Sequence, residues 1–211
     1  KVKIAHLSHS DVTRDVRIVK QLQCLAGFEG KYKFSLLGCG LEIPSMGPVQ
    51  TQDSQISYKS LNLRANKLPT CMGLFRSLAV FLEMTTKFLI VLYRYRPDII
   101  HCHDFPLLAA SLLYKTVTKN ILIYDAHELQ SEQYLKGNEK KIRTFFERHF
   151  VKILERIAWK KIDLFISVSD SIIEWYQKTY GKKNSILILN SPIFLDSTKQ
   201  NRKVKQKPQL G

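Results

Sequence analysis

The sequence predicts an α/β chain built on a doubly wound, mainly parallel sheet. Seven short apolar runs have the length of buried strands, and stretches with helical spacing of apolar residues lie between most of them. Alternation of this kind is the pattern of parallel strands joined by crossover helices.

The strand-like runs are Val2–Leu7, Tyr32–Leu37, Ile56–Leu63, Asp98–His101, Ile121–Tyr124, Leu164–Val168 and Ile186–Leu189. Helical spacing appears over Val12–Leu25, Leu74–Tyr93, Leu107–Val117, Ile142–Trp159 and Ser171–Tyr180. Local chemistry marks several boundaries. Pro97 ends the second helix and predicts an extended Arg96 feeding the next strand. Ser169 or Asp170 is placed to cap the last helix, and Gly181 follows it where a left-handed cap residue is expected. The stretch Gly38–Gln55, with three glycines and two prolines, reads as a long loop.

The chain has 211 residues, enough for one domain of residues 1–194 followed by a tail. Over 195–211 the apolar pattern stops, and five lysines and arginines face Asp196 alone. Cys24, Cys39, Cys71 and Cys102 are scattered without a close pair. That spacing suggests neither a zinc site nor a disulfide framework, and a reducing, cytoplasmic compartment is expected. Residue 1 is lysine and the first strand starts at Val2, so no signal peptide is expected. Arg76, Glu83 and Lys87 interrupt the longest apolar stretch and argue against a membrane-spanning helix.

The formal net charge of +15 calls for an anionic partner. Nucleic acid is not expected, because aromatic residues are not interleaved with the basic runs as in single-strand binders. Residues 136–161 hold nine lysines and arginines against three glutamates, with Arg148, Lys152, Arg156 and Lys160 on one ridge. Phe146, Phe150, Ile153 and Ile157 form the apolar face of that helix, suited to docking on the sheet or lying on anionic lipid.

Ligands of open α/β sheets bind where the loops leave the carboxyl ends of the strands. Four polar clusters stand at such ends: Ser8-His9-Ser10-Asp11 with Arg14 and Arg17, then His101-Cys102-His103-Asp104, Asp125-Ala126-His127-Glu128, and Ser167-Val168-Ser169-Asp170. Of the two histidines on the fourth strand, His101 is expected to be a packed core residue and His103 a functional one. Asp125 and Glu128 read equally well as helix-capping acids and as site residues, while Ser169 and Asp170 read first as caps.

These residues also carry a resemblance. Asp15–Gln21 is similar to the Asp-Thr-Arg-Ile/Val motif of one branch of glycosyltransferase family 4. Pro97–Asp104 resembles that family's Pro-Asp-x-x-His-x-His-Asp/Glu strand end, and Tyr124–Leu129 its Asp-x-His-Glu loop. Phe165–Ile172 resembles its Ile-x-Val-Ser-x-x-Ile junction, and Leu189-Asn190-Ser191-Pro192 its Asn-x-Pro domain end. Five weak motifs in the right order make a strong resemblance.

It implies the Rossmann-like N-terminal, acceptor-side half of a GT-B fold, with 195–211 leading toward a donor-binding half beyond this sequence. The implied activity is retaining transfer of a hexose from a nucleotide sugar to a polysaccharide or lipid-linked acceptor. No cofactor or metal is implied, and the nucleotide sugar is the donor substrate. By the resemblance His103 and Asp104 are catalytic, His103 acting first in positioning and charge stabilisation. Arg17, His9, His127, Glu128 and Asn190 are substrate-binding, with Arg17 and the nearby helix amides clamping the departing diphosphate. One departure is the lack of a Gly-Gly pair after the first strand. A GT-B sugar-nucleotide epimerase half is the alternative enzyme reading. A non-catalytic basic module binding membrane or nucleic acid is the alternative of another class. Peripheral contact with the inner face of an anionic membrane fits the basic amphipathic helices.

Overall fold

The structure, a computed structural model, describes residues 1–28, 33–42, 55–70, 73–133 and 141–189, excluding the side chains of 131, 133 and 141–147. Asn190, Cys71 and residues 195–211 lie outside the described residues, as does the side chain of Phe146.

Among the described residues, seven parallel strands form one sheet: β1 (Val2–Leu7), β2 (Phe34–Leu41), β3 (Ile56–Leu61), β4 (Ile99–His103), β5 (Ile121–Ala126), β6 (Leu164–Ser167) and β7 (Ser185–Leu187). Their spatial order is β3-β2-β1-β4-β5-β6-β7. The helices are α1 (Val16–Ala26), α2 (Gly73–Tyr95), α3 (Leu108–Val117), α4 (Gln130–Gln133), α5 (Lys141–Lys161) and α6 (Asp170–Tyr180). The predicted α/β class is the observed one, an open doubly wound sheet of the Rossmann-like type.

Residue alternation divides the core between the two faces of the sheet. Ile4 of β1 and Leu36 of β2 pack with Ile18 and Leu22 of α1 in a small core. Ala5 and Leu7 point the other way, into a larger core with Phe88 and Leu92 of α2, Leu108 of α3, Trp159 of α5 and Tyr176 of α6. The chain winds outward from β1 to β3, crosses back through α2 to β4, and winds outward again. The strand order therefore reverses between β1 and β4, and the loops after these strands part there to leave a crevice.

Several local expectations are corrected. Residues 12–14 form a turn, and α1 begins only at Val16, capped by the Asp15 side chain accepting from the Arg17 amide at 3.1 Å. Strand β2 runs on through Gly38, Cys39 and Gly40 to Leu41 instead of breaking into a loop at Gly38. Arg96, the residue after α2, adopts a left-handed φ of 53°, where Pro97 predicts an extended conformation. Ser169 stands at the cap position of α6, but its hydroxyl bonds Ser171 at 2.7 Å and caps no amide.

Helix α5 docks by a different face from the one expected. Val151, Ala158 and Trp159 are buried, and so is Glu155, whereas Phe150, Ile153 and Ile157 face solvent. Glu155 tolerates burial because the Tyr176 and Tyr180 hydroxyls donate to its two carboxylate oxygens at 2.5 and 3.0 Å. The basic ridge is also better compensated than its own helix suggests. Glu132 of α4 accepts from Arg148 at 3.0 Å and lies 3.4 Å from Lys152. Among the described residues, no helix is long and apolar enough to cross a membrane.

Candidate functional site

Parallel register and two-residue alternation assemble the site. Register sets His6 of β1 beside His101 of β4, and His103 of β4 beside Asp125 of β5. Alternation puts all four on the face covered by α1, opposite the larger core. Their side chains form one buried cluster. The His101 and His103 rings stack at 4.2 Å and 14°, and His6 lies 4.6 Å from His101.

Asp125 organises this cluster. Its Oδ2 lies 3.1 Å from His101 Nε2 and 3.2 Å from His103 Nδ1. An ionised carboxylate only accepts, so both ring nitrogens carry hydrogens. His103 Nε2 is then left as an acceptor, and His6 Nδ1 donates to it at 3.0 Å. Burial alone would raise the Asp125 pKa, but the two imidazoles hold it well below the usual carboxylate range. Burial pushes His103 down to about 4, with the neighbouring His101 adding to the shift, and pushes His6 down as well. His6 and His103 are therefore neutral at physiological pH, beside an ionised Asp125.

Above this floor lies a cleft of about 370 Å³. His9 and Ser10 enter it from the end of β1, Asp15 and Arg17 from the start of α1, Asp104 from the end of β4, and His127 and Glu128 from the end of β5. Five residues predicted from sequence, His9, Arg17, Asp104, His127 and Glu128, thus meet at the switch point between β1 and β4. His103 does not line the cleft. Because β4 continues through it, its side chain turns under the sheet face, leaving 1% of the residue exposed. It borders the cleft through His127, whose ring is parallel to its own at 6.5 Å.

Two strained or tied elements shape the walls. Asp104 holds φ 75° and ψ 151°, a region essentially reserved for glycine. This turn carries its carboxylate across to His9, whose Nδ1 lies 2.9 Å from Oδ2, and that hydrogen bond raises the His9 pKa. Arg17 departs from the expected clamp. Its Nε and Nη2 donate to the two oxygens of Asp15 at 3.1 and 2.9 Å, so the guanidinium enters the cleft already paired. Asp15 also occupies the first amides of α1, which weakens that helix end as a diphosphate site.

Other polar atoms have no hydrogen-bond partner among the described residues. Both His127 ring nitrogens, Asp125 Oδ1 and His6 Nε2 are in this state. His127 Nε2 is 3.3 Å from Asp125 Oδ1, close enough for charge attraction but not aligned for a hydrogen bond. One ligand atom from each of His6, His101 and His103, or from each of His103, Asp125 and His127, falls within 4.8 Å of the others, which is close enough for a metal ion. The near-parallel rings, however, suit a hydrogen-bonded stack better than a converging ligand set.

Sequence reasoning missed His6 altogether and left Asp125 undecided between a cap and a site. Asp125 caps no helix, since it belongs to β5. The signal for both was the strand register, which a single sequence does not reveal. Asn190 lies outside the described residues.

Chemically, the cleft offers a carboxylate beside an imidazole, a second imidazole with two unsatisfied nitrogens, and a paired arginine. Such a set can orient hydroxyl groups and stabilise charge developing on oxygen.

Solved structures share this architecture. Two structures of sucrose-phosphate synthase from Thermosynechococcus elongatus align with TM-scores of 0.62 and 0.63. The first is 12% identical over 95% of this chain and 96% of that one, the second 17% identical over 90% and 48%. A UGT transferase from Siraitia grosvenorii in complex with UDP aligns at 0.58 and 12% identity, over 95% of this chain and 54% of that one. A UDP-N-acetylglucosamine 2-epimerase aligns at 0.56 and 12% identity, over 89% and 48%. Except against the first of these, the chain spans about half the length of the protein it matches, and at such identities the likeness establishes the fold. No curated protein sequence matches the chain. The family model of Glycosyltransferase Family 4 matches residues 59–193, more than half of the sequence and the part that supplies the ends of β4 and β5, so the chain belongs to that family.

Proposed function

We propose that this chain is the acceptor-side half of a two-domain retaining glycosyltransferase. The enzyme moves a hexose from a nucleotide sugar to a saccharide or lipid-linked acceptor, in polysaccharide or glycolipid assembly at the cytoplasmic face of a membrane. The observation that carries this reading is the convergence of His9, Arg17, Asp104, His127 and Glu128 on one cleft at the switch point. Family membership supports the reaction class, and the likeness to a transferase solved with UDP supports a nucleotide donor.

In this reading Asp104 and His127 touch the reacting groups. Asp104, oriented by its strained backbone and by His9, accepts a hydrogen bond from an acceptor hydroxyl. His127, whose ring nitrogens are unsatisfied, supplies a donor to oxygen as charge builds on it. His103 is a positioning residue under the floor, where the Asp125 carboxylate fixes its tautomer and thereby sets the surface on which His127 rests. Glu128 and Arg17 shape the acceptor and diphosphate sides of the cleft.

The test is sugar transfer from UDP- and GDP-hexoses by the two-domain protein. His127→Ala and Asp104→Asn are expected to lower kcat by about 10²–10³-fold, the range for removing one stabilising group from such a site. The 211-residue chain alone is expected to be inactive, since a GT-B site closes between two domains. Robust transfer by the chain alone would refute the half-enzyme reading. Epimerisation of UDP-N-acetylglucosamine without transfer would replace it by the epimerase reading.

A further inference from the structure

Helix α2 exposes an unusual surface. Phe75, Leu78, Leu82, Ile90 and Tyr93 follow one another at helical steps, with only Thr86 between Leu82 and Ile90, and each is between 45% and 60% exposed. The Thr86 hydroxyl is turned back onto the Leu82 carbonyl at 2.8 Å, so the row shows almost no polar group to solvent. Met84, Phe88, Val91 and Leu92 meanwhile bury the opposite side of the helix. The exposed row is thus surplus to the core. A contiguous apolar stripe of this kind on a soluble domain marks an interaction surface.

Cations edge this row. Behind it lies a groove of about 460 Å³ into which Lys59, Arg64, Lys67, Lys87 and Arg94 project from β3, from the 3-10 turn at Ala65–Lys67 and from α2. The acid beside them, Glu83, is already committed. It bonds Lys87 at 2.8 Å and receives the Arg64 and Ala65 amides at 3.0 and 2.7 Å, and these contacts, Lys87 first, hold its pKa down to about 2. Glu83 therefore ties Lys87 and the Arg64–Ala65 backbone together beside the groove, and the other four cations face it. On α5, by contrast, Glu132 binds the Arg148 and Lys152 end of the basic ridge.

We propose that α2 and this groove form the membrane-docking face of the protein, the apolar row entering the interface of an anionic bilayer and the groove receiving lipid phosphate headgroups. The charge of the groove decides for anionic lipid over a second copy of this strongly basic chain, which would bring like charges together. Topology adds a consequence. Crossover helices run antiparallel to their strands, so the first turns of α2, with Phe75, Leu78 and Leu82, lie on the carboxyl-end rim of the sheet that also bears the cleft. A lipid-linked acceptor in the same bilayer would be presented at that rim. This placement rests on the proposed acceptor class, whereas the docking face itself does not.

Sedimentation of the 211-residue chain with vesicles tests the docking face. Binding is expected to vesicles of phosphatidylcholine mixed with phosphatidylglycerol, not to phosphatidylcholine alone, and is expected to weaken as salt rises. Neutralising Lys67 and Arg94 together (K67Q with R94Q) is expected to weaken binding by roughly 25-fold, about fivefold per charge. Leu78→Gln with Leu82→Gln is expected to abolish it while leaving the far-UV circular dichroism unchanged. Lys152→Gln with Lys160→Gln on α5 is expected to change it by less than the groove pair does.

No binding to anionic vesicles at low salt overturns the proposal, as does binding lost through the α5 pair and kept by the α2 and groove variants. Displacement from vesicles by inorganic phosphate at matched ionic strength would instead identify a site for free anions. A concentration-dependent dimer abolished by Leu78→Gln, without vesicle binding, would show that a second copy covers α2. Sugar transfer by the two-domain enzyme to a soluble acceptor is read separately, so failure of the docking face and failure of the transferase reading remain distinguishable.

Discussion

His9 Nδ1 lies 2.9 Å from Asp104 Oδ2, joining the loops that leave β1 and β4 across the switch point of the sheet. In this contact Asp104 holds a backbone conformation that side-chain-bearing residues avoid. Strain kept at a cleft is a sign of use, because a residue free of function would be replaced by glycine.

Asp104→Gly is accordingly expected to stabilise the isolated chain while damaging the site. Relief of a glycine-only conformation is worth about 1–3 kcal/mol, against which stand the entropy of glycine and a half-exposed ion pair. A net gain of about 1 kcal/mol raises Tm by roughly 2–4 °C for a domain of this size. In the same variant the His9 pKa, read by NMR, is expected to fall back toward its ordinary value, because its partner is gone. A lower Tm would show that Asp104 is not strained.

The buried histidines make the fold sensitive to acid. Burial lowers the folded-state pKa of His103 from 6.5 to about 4 and lowers that of His6, so between these values the unfolded chain binds protons that the folded chain does not. Their contribution is thus fully present above pH 6.5 and is lost as pH falls toward 4. Each histidine adds up to about 1.4 kcal/mol per pH unit to the slope. Glu155, whose pKa burial raises, works in the opposite sense, so the decisive measurement is a difference. Urea unfolding across this range is expected to show a slope smaller by up to that amount in His103→Gln, and equal slopes would remove His103 from the account.

The strands were legible because a parallel strand covered on both faces is apolar throughout, and the strand-end rule then found five of the cleft residues. Pairing was not legible. His6 sits within an apolar run and looks like a packing residue until register sets it beside His101. The face of α5 was misread for a similar reason. Phe150, Ile153 and Ile157 are more apolar than the face that docks, but Glu155 on the docked face is satisfied by Tyr176 and Tyr180, more than twenty residues away. The length of β2 depended on Gly38 and Gly40, which read as loop residues until the elements packed against them are known.

Glu155 is expected to be a sensitive position. Glu155→Ala leaves the hydroxyl of the fully buried Tyr176 without its acceptor and opens a hole beneath α5, costing about 2–4 kcal/mol. Glu155→Gln keeps an oxygen for one tyrosine and is expected to cost about 1 kcal/mol. Denaturant midpoints for the two variants, with unchanged slopes, check the order. A neutral Glu155→Ala would mean that the tyrosine hydroxyls find other partners and that the docked face of α5 does not depend on them.

Gly40 joins the fold closely to the cleft. Strand β2 passes so close under the loop after β1 that a methyl group at residue 40 would lie 2.2 Å from the Ser10 carbonyl oxygen and 3.0 Å from the Val12 amide nitrogen. Both atoms are backbone, so no rotamer change relieves the clash. The loop is held there by the Leu41 amide, which donates to the same Ser10 carbonyl at 3.1 Å. Gly40→Ala must therefore break that bond and lift residues 8–12, at a cost of about 2–4 kcal/mol. The displaced loop carries His9 away from Asp104, so the His9 pKa should fall along with stability. Gly38→Ala provides the control. Its methyl group would meet side-chain atoms of Tyr58 and Leu22 at 3.1 and 3.2 Å, which can shift by a few tenths of an ångström without moving the loop. A smaller loss of Tm with an unchanged His9 titration is expected for Gly38→Ala. Equal effects of the two substitutions on His9 would show that the close approach at Gly40 does not set the position of the cleft wall.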